Sequence, residues 1–435
     1  AAGRTAPCRG AKLCESQQAR SEEPLSDVLP NAEGGAPVIA ARDAFAKAFQ
    51  FRRADEAVAS GMHPYFKPIA SQHGGSVRVA GREMIITGSN DYLGLTQDPR
   101  LKEAARRALD DFGTSCTGSR FLTGTLTLHE ELEHRLAEFF HRDAVLTFSA
   151  GFLGCLSVVS ALAGRHDILY YDRENHASLY DAARLSFATL RKYEHNDLAD
   201  LEQMLEADVG KPGGRIIVTD GVFSMSGHIA DLPGIVRLKK RYGARLIVDD
   251  AHATGVLGEH GRGTGEHFGL EDEVDVIVGT FSKSFASVGG FMAGDREVVN
   301  YVKHHARPFI FTAALPAMQM AAALEALNII EAEPQHRERL WHNVARLSAG
   351  MTALGFDTMG SRTPIVPVLI GPDELAMAFW KSLWELGIFT TPALPPGVPA
   401  GQSIIRTSVN ANHTDAQLDA LLHAFTEVGR KFGVI

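Results

Sequence analysis

A single lysine, Lys283, stands among small and hydroxyl-bearing residues in the segment GTFSKSFASVGG, directly after the apolar run VDVIV. Lysine is ordinarily a solvent-facing residue, so its position at the end of a strand-like run needs a chemical reason. A partly desolvated amine is a nucleophile that can condense with a carbonyl group as a Schiff base. The position of Lys283 therefore indicates covalent chemistry.

Further groups with matching chemistry lie elsewhere in the chain. Asp249 ends the strand-like run RLIVD, and His252 follows three residues later. His176 precedes a helix-like segment, while Thr280 and Ser282 flank the lysine with hydroxyl groups. Pyridoxal 5′-phosphate (PLP) requires a lysine for its aldehyde, a carboxylate for its pyridine nitrogen, a flat group over its ring and donors for its phosphate. We therefore predict PLP as the cofactor.

The residue types assign a role to each group. We expect Lys283 to bind the PLP aldehyde, Asp249 to pair with the pyridine nitrogen and His176 to cover the ring. Charge-assisted hydrogen bonds to a phosphate contribute roughly 1.5–3 kcal/mol each, and helix N-termini are favourable sites for them. The phosphate donors expected here are the groups of Thr280, Ser282, Gly151 and Phe152.

These residues belong to a part of the chain in which strand-like and helix-like segments alternate. The strand-like runs are AVLTFS, DILYYD, ATLRKY, RIIVTD, RLIVDD and VDVIVGT. Continuous apolar strands separated by helices predict an α/β fold with parallel strands covered on both faces. Ligands of such sheets bind outside the carboxyl ends of the strands, so Asp220, Asp249 and Thr280 should lie at the site.

The rest of the chain predicts a division into four parts. Residues 1–40 lack periodicity and predict a mobile leader, either a disordered extension, which we prefer, or an organellar transit remnant. Residues 41–95 form an N-terminal segment, with a β-hairpin over 76–89 that turns at Ala80 and Gly81. Residues 96–331 form a large PLP-binding domain, and residues 332–435 a small α+β C-terminal domain.

Composition bears on the partners of the protein, its compartment and its association with membranes. The net charge is -9 and the pI about 6.1, which argues against nucleic acid. Four cysteines without a CxxC pair indicate a reducing compartment. The longest apolar stretch is broken by glycine and serine and is shorter than the ~20 residues a membrane span needs, so no transmembrane segment is predicted. We expect a cytoplasmic protein and leave peripheral membrane contact open.

One absent motif and two motif-like segments argue against other functions. No GxxxxGK[ST] sequence occurs, and the glycine-rich stretch of residues 113–124 follows a helix rather than a strand, unlike a dinucleotide-binding loop. The histidines of HEELEH are five residues apart, roughly 140° around a helix, so they cannot share a metal ion and predict a solvated helix face. No metal site is predicted.

Several longer motifs carry a resemblance to a known family. The sequence contains VDDAHATGVLGEHGRG, GTFSKSFASVGGF, GSNDYLGL, GSRFLTGT, FSAGFLGC and DGVFSMSGHIADL, in that family's order along the chain. It resembles the α-oxoamine synthases, PLP enzymes of fold type I that join an amino acid to an acyl-CoA, over about residues 50–435. The resemblance implies a mostly parallel central sheet with helices on both faces, a small C-terminal domain, and a homodimer with shared active sites.

The resemblance also implies roles for individual residues. Lys283 would hold the cofactor and move protons, and His252 would bond its phenolic oxygen with help from Ser224. His176 would stack on the ring and orient the substrate carboxylate, which Arg406 would bind. Thr312 would complete the phosphate site of the other subunit. The further substrate-binding residues expected are Asn90, Tyr92 and Ser119.

One branch of the family is the most similar. The segments RPFIFTAALP, RERLWHNVARL, PAGQSIIRTS and GRKFGVI are similar to those of the bacterial serine palmitoyltransferases. The favoured reaction is therefore condensation of L-serine with a long-chain, palmitoyl-like acyl-CoA to an α-amino ketone, CoA and CO2. That reaction is the first step of sphingoid base synthesis.

Other members of the family stay open as alternatives. SNDYLGL is more similar to the biotin- and haem-pathway branches, Asp250 replaces a usual glutamate, and Leu394 replaces a loop arginine of the palmitoyltransferases. The alternatives are enzymes of the 2-amino-3-ketobutyrate CoA ligase, 8-amino-7-oxononanoate synthase or 5-aminolevulinate synthase type. An aminotransferase is a more distant alternative. A non-catalytic subunit is also a distant alternative, because such subunits lack the lysine that this chain has at position 283.

Overall fold

The computed structural model describes residues 43–435, and the chain divides into two units, Ala1–His63 and Pro64–Ile435. The first unit contains two short helices, α1 (Ala46–Phe49) and α2 (Arg53–Ala59). The predicted leader, residues 1–40, lies outside the described residues. Across residues 43–435, no helix is both long and apolar enough to cross a bilayer.

Among residues 43–435, the remaining helices and the strands belong to the second unit. The strands are β1 (Ile69–His73), β2 (Ser76–Val79), β3 (Arg82–Ile86), β4 (Ala144–Phe148), β5 (Ile168–Asp172), β6 (Thr189–Tyr193), β7 (Arg215–Asp220), β8 (Arg245–Asp249), β9 (Val276–Thr280), β10 (Gly290–Gly294), β11 (Ile365–Gly371), β12 (Ile388–Phe389), β13 (Thr391–Ala393) and β14 (Ser403–Ser408). The helices are α3 (Pro99–Phe112), α4 (Thr127–Phe139), α5 (Gly151–Leu162), α6 (Ala177–Ser186), α7 (Leu198–Ala207), α8 (Leu232–Tyr242), α9 (Thr264–Phe268), α10 (Arg296–His305), α11 (Arg307–Ile310), α12 (Ala317–Ala332), α13 (Gln335–Leu354), α14 (Asp373–Glu385) and α15 (Asp415–Phe432).

A seven-stranded sheet forms the centre of this unit, in the order β4-β10-β9-β8-β7-β5-β6. The strands from β9 to β6 pair in parallel, whereas β10 is antiparallel to both β4 and β9. The predicted α/β class with a mostly parallel sheet is confirmed. Strand β10 was not predicted because its sequence, GFMAG, begins and ends with glycine and has little strand propensity.

Both faces of the central sheet are buried. Along β8, Leu246 and Val248 belong to one core cluster, and Ile247 between them belongs to the cluster on the opposite face. Successive side chains of a strand point to opposite faces, so a strand covered on both sides must be apolar at every position. This explains why the strands that carry the site read as continuous apolar runs.

The strands before β4 and after β10 form two smaller sheets. The predicted hairpin is confirmed as β2 and β3, with Ala80 and Gly81 at φ 50° and 76° in the left-handed region that a tight hairpin turn requires. Strands β11, β14 and β13 form a three-stranded sheet near the C-terminus. The domain boundaries that the sequence suggested within this unit remain predictions.

The two histidines of HEELEH lie on different sides of helix α4, as their spacing predicted. His129 is fully buried, and its Nδ1 accepts a hydrogen bond from the Leu126 N–H at 3.0 Å. His134 is exposed and lies 3.3 Å from Glu138. The expectation of a solvated face was wrong for His129, because this side chain caps the helix instead of pointing to solvent.

Candidate active site

A cavity of about 320 Å³ lies at the carboxyl ends of the central strands. Its walls come from the ends of β7, β8 and β9 and from the first residues of α5 and α6, where the sequence placed the site. The residues that line it are Ala150, Gly151, Phe152, Cys155, His176, Ser178, Asp220, Val222, Asp249, Ala251, His252, Gly279, Thr280, Ser282 and Lys283.

Lys283 is partly buried on the turn that follows β9. Phe281 and Phe285, two residues to either side, are fully buried and pack with ring centroids 5.3 Å apart, which fixes the turn. Burial lowers the pKa of the Lys283 amine to about 8, against the opposing charges of Asp249 and Asp220. A lysine with this pKa has more neutral, nucleophilic amine at neutral pH than an exposed one.

Asp249 is 6% exposed and is held by two hydrogen bonds. Its Oδ1 accepts from the Ala251 N–H at 3.0 Å, and its Oδ2 accepts from the Cys155 Sγ–H at 3.3 Å. Burial raises the pKa of the Cys155 thiol, so the thiol remains a donor. The carboxylate is thereby fixed in direction, as pairing with a pyridine nitrogen requires.

Asp220 is the neighbour of Asp249 across the β7–β8 ladder. Burial first, and then the Asp249 charge, raise the pKa of Asp220 well above its usual value. Its Oδ1 accepts from the His176 N–H at 3.2 Å, and its own N–H donates to Asn175 Oδ1 at 3.0 Å. Asp220 therefore positions the backbone of His176 at the start of α6.

The His176 ring lies over the cavity as the N-cap of α6. Its Nδ1 is 2.7 Å from Ser178 Oγ, and the ring packs edge-on to Phe152 with centroids 6.3 Å apart. Burial, reinforced by the Lys283 charge, lowers the pKa of His176. A neutral, flat imidazole suits the predicted role of covering an aromatic cofactor ring.

His252 has its tautomer fixed by Tyr92. The two side chains meet at 2.6 Å between Tyr92 Oη and His252 Nδ1. Burial raises the pKa of Tyr92 to about 12, and burial with nearby positive charges lowers that of His252, so both groups are neutral. The Tyr92 hydroxyl donates to the ring, because this 2.6 Å contact is much shorter than its 3.4 Å contact with Asn90 Oδ1. His252 Nε2 then carries the hydrogen and can donate to a phenolic oxygen. Tyr92 was predicted as a substrate-binding residue, and this geometry gives it a positioning role.

One part of the cavity wall has the features of a phosphate site. Gly151 begins the twelve-residue helix α5, and a Cβ at this position would lie 2.8 Å from Thr280 Cβ and so fill the space. The Thr280 and Ser282 hydroxyls are 2.8 Å apart. Helix N–H groups and two hydroxyls beside a glycine cradle fit a phosphate group. With Lys283 and Asp249 farther along the cavity, the residues present fit PLP.

Arg406, in β14, is buried with three hydrogen bonds. Its Nε donates to the Ser224 carbonyl at 2.7 Å, Nη1 to Ser408 Oγ at 2.9 Å, and Nη2 to Asn90 Oδ1 at 3.1 Å. An arginine has five N–H donors, so each terminal nitrogen has a second N–H that can reach a carboxylate. Arg406 does not line the cavity itself, but contacts through Asn90 and Tyr92 connect it to His252. Its charge contributes to lowering the pKa values of both Lys283 and His252.

The structure does not bring every predicted residue to the cavity wall. Ser224 meets Arg406 through its carbonyl group rather than its hydroxyl. Ser119 forms a β-bridge with Ala313, beside Thr312, and neither Ser119 nor Thr312 lines the cavity of its own chain. The roles assigned to these residues from the resemblance remain predictions.

Comparisons with known proteins agree with this architecture. Residues 82–425 match the family described as aminotransferase class I and II. A serine palmitoyltransferase of Bacteriovorax stolpii is 45% identical over 85% of this chain and 88% of its own. An 8-amino-7-oxononanoate synthase of Thermoanaerobacter pseudethanolicus is 42% identical over 88% of this chain and 96% of its own.

Solved structures of the same two kinds of enzyme are also similar to this chain. A serine palmitoyltransferase from S. paucimobilis, with bound PLP–myriocin aldimine, has a TM-score of 0.87 and 34% identity, covering 91% of this chain and all of its own. An 8-amino-7-oxononanoate synthase from Francisella tularensis has a TM-score of 0.70 and 30% identity, covering 81% of this chain and 99% of its own.

The fold and the site thus define a PLP-dependent enzyme of fold type I, and the chain belongs to the aminotransferase class I and II family. Within that family it is an α-oxoamine synthase, an acyltransferase similar to the bacterial serine palmitoyltransferases. The predicted cofactor, enzyme class and family are confirmed.

Proposed function

We propose that this enzyme condenses L-serine with a long-chain acyl-CoA, releasing CoA and CO2 and forming an α-amino ketone. Relatives named serine palmitoyltransferase, 45% and 44% identical, support the substrate pair. The observation that carries the assignment is Arg406, a buried cation that can bind an amino-acid carboxylate. Contacts through Asn90 and Tyr92 connect it to His252 in the cavity wall. The 42% identical 8-amino-7-oxononanoate synthase makes that activity the second candidate.

The residues of the chain have separate tasks in this reaction. PLP supplies an electron sink that stabilises negative charge on the amino-acid Cα. Lys283 Nζ would take the proton from that carbon, Asp249 would pair with the pyridine nitrogen, and His252 Nε2–H would donate to the phenolic oxygen. The new C–C bond forms to the thioester carbonyl carbon and the C–S bond breaks. The Cα–carboxylate bond then breaks, releasing CO2, and a proton replaces it.

Substrate choice is tested by CoA release from a panel of thioesters and amino acids. We expect kcat/KM with L-serine to rise from acetyl through octanoyl to palmitoyl-CoA, because each buried CH2 contributes ~0.8 kcal/mol, about fourfold. The panel should include pimeloyl- and succinyl-CoA, each with serine, alanine and glycine. A preference for pimeloyl-CoA with alanine would assign the second candidate. A preference for acetyl- or succinyl-CoA with glycine would assign another branch of the family.

Leu394 provides a test of the loop that departs from the palmitoyltransferase pattern. Its side chain packs against the apolar core and does not line the cavity, and its carbonyl accepts from the Gly397 N–H at 2.8 Å. We expect Leu394→Arg to change serine affinity, because it adds a cation, without reversing the order of acyl chains. A reversal in the thioester panel would show that this position selects the acyl group.

Replacement of Arg406 separates amino-acid binding from acyl-CoA binding. We expect Arg406→Ala to weaken L-serine binding by at least ~100-fold, since two charge-assisted hydrogen bonds of roughly 1.5–3 kcal/mol each are lost. Spectroscopic titration of the PLP enzyme with serine measures this affinity, and the KM for acyl-CoA is the internal control. Arg406→Lys retains the positive charge but cannot form the bidentate contact, so its affinity for L-serine should lie between those of the wild type and Arg406→Ala. Equal losses for both substrates would contradict the role.

The proposal includes a homodimer in the cytoplasm. Support comes from the resemblance, which implies shared active sites, and from Cys116 and Cys155, which are unpaired in the described part of the chain. We expect sedimentation to give twice the chain mass of 47.0 kDa. We also expect that mixing inactive Thr312→Ala and Lys283→Ala chains restores part of the activity if the sites are shared. A monomer with full activity would remove this part of the proposal.

A further inference from the structure

A second cluster of ionisable groups lies outside the cavity just described. Glu174 is in the loop between β5 and α6, His195 in the loop between β6 and α7, and His228 precedes α8. His195 Nε2 is 2.8 Å from His228 Nδ1 and 3.6 Å from Glu174 Oε2. One donor atom from each residue lies within 4.8 Å of the others, so the three side chains are close enough to bind one ion together.

The other ring nitrogens determine where the hydrogens are. His228 Nε2 lies 2.6 Å from the Met359 carbonyl oxygen, which can only accept, so this nitrogen carries a hydrogen. His195 Nδ1 lies 2.9 Å from Asp172 Oδ1, in a carboxylate that already accepts from two backbone N–H groups. In their neutral forms, both histidines therefore direct a lone pair into the gap between them. Such an arrangement needs a cation or an extra proton.

These outer contacts are the kind that orient histidine ligands in metal sites. Metal-binding histidines commonly donate their second N–H to a carboxylate or a backbone carbonyl, and here His195 and His228 do one each. The third candidate ligand is also held, because Ser226 Oγ donates to Glu174 Oε2 at 2.9 Å. We propose that Glu174, His195 and His228 form a binding site for Zn²⁺ or a similar divalent transition-metal ion.

The ligand set and the surroundings fit this ion. Two imidazoles and one carboxylate are favourable for zinc, with ligand distances of about 2.0–2.2 Å. Tetrahedral binding would separate the two nitrogens to about 3.3 Å, so the rings must move apart by roughly 0.5 Å. His195 and His228 also line an open cavity of about 1140 Å³, which gives a path for the ion and space for water as a fourth ligand.

The site would connect three loops to the catalytic region. Glu174 is two residues before His176, which covers the cofactor, and the Met359 carbonyl belongs to the segment before β11. A bound ion would therefore restrain the loop that carries His176. This inference does not depend on the identity of the acyl-CoA or the amino acid.

Metal binding to the chelator-treated holoenzyme tests the proposal. We expect one Zn²⁺ per chain in competition with a chromophoric chelator, and at least ~100-fold weaker binding in His195→Ala and His228→Ala. His267→Ala is the matched control, because His267 lines the same cavity without belonging to the cluster. Co²⁺ should give the visible absorbance of a four-coordinate site in the control and lose it in His228→Ala.

Thermal unfolding provides a second readout. Zn²⁺ should raise the Tm of the wild-type and His267→Ala proteins but leave that of His228→Ala unchanged, because only an intact site binds the folded chain preferentially. The proposal would be overturned if Zn²⁺ did not bind stoichiometrically, or if it bound equally to all variants. A proton shared between the two histidines would then explain their short contact.

Discussion

We expect the Lys283→Ala enzyme to lose turnover by at least ~10⁴-fold while remaining folded. In the proposed mechanism the variant lacks both the amine that would attach PLP and the base that would move the substrate proton, and a positioned proton-transfer group alone contributes about 10²–10⁴-fold. Folding should persist because Phe281 and Phe285, both fully buried, anchor the turn without the lysine. Burial lowers the pKa of this amine to about 8, so its loss also removes an unfavourably desolvated charge.

Borohydride reduction followed by peptide mass spectrometry measures the covalent attachment. The wild type should carry the mass of reduced PLP on the peptide that contains Lys283, and Lys283→Ala should carry it nowhere. Lys303→Ala, an exposed lysine of α10, is the control and should retain both attachment and CoA release. Attachment at a different lysine, with turnover retained, would refute the assignment.

We expect Asp249→Asn to lower kcat by about 10²–10⁴-fold while retaining PLP. An amide cannot stabilise positive charge on the pyridine nitrogen, so the ring withdraws electrons from the substrate less effectively. The side chain is 6% exposed and is held by the Ala251 N–H and the Cys155 thiol, so water cannot readily replace the carboxylate.

The adjacent residue offers a matched control for this prediction. Asp250 is also buried, but its oxygens accept from the Thr264 N–H at 2.9 Å and Oγ1 at 2.6 Å rather than facing the cavity. Burial raises the pKa of Asp250 to about 7, so an amide replaces a group that is partly neutral at that pH. With rates normalised to bound PLP, Asp250→Asn should retain most activity. Equal losses in the two variants would show that Asp249 has no special role.

The sequence by itself predicted the elements whose signals are local. The strand-like run RIIVTD is strand β7, Arg215–Asp220, because a continuous apolar run is a local feature. Strands β1, β10, β12 and β13 were missed. Strand β10 depends on contacts with distant residues. Gly290 packs against Gly151, and a Cβ added at Gly290 would lie only 2.6 Å from Gly151 Cα.

The sequence also predicted the groups of the site that follow strand ends, because parallel strands bring their carboxyl ends to one edge. Lys283, Asp249, His252 and Thr280 were found in this way, and all four line the cavity. Their chemistry could be inferred before any geometry was known, because PLP requires a particular combination of residue types.

Only the tertiary structure decided how these groups are held. The Cys155–Asp249 contact joins residues 94 positions apart, Tyr92–His252 joins residues 160 apart, and Arg406 meets the Ser224 carbonyl across 182 positions. No local pattern encodes such pairs, since each depends on two distant elements packing in one register. The tautomer of His252, the direction of Asp249 and the convergence of His195 with His228 therefore became apparent only in the folded chain.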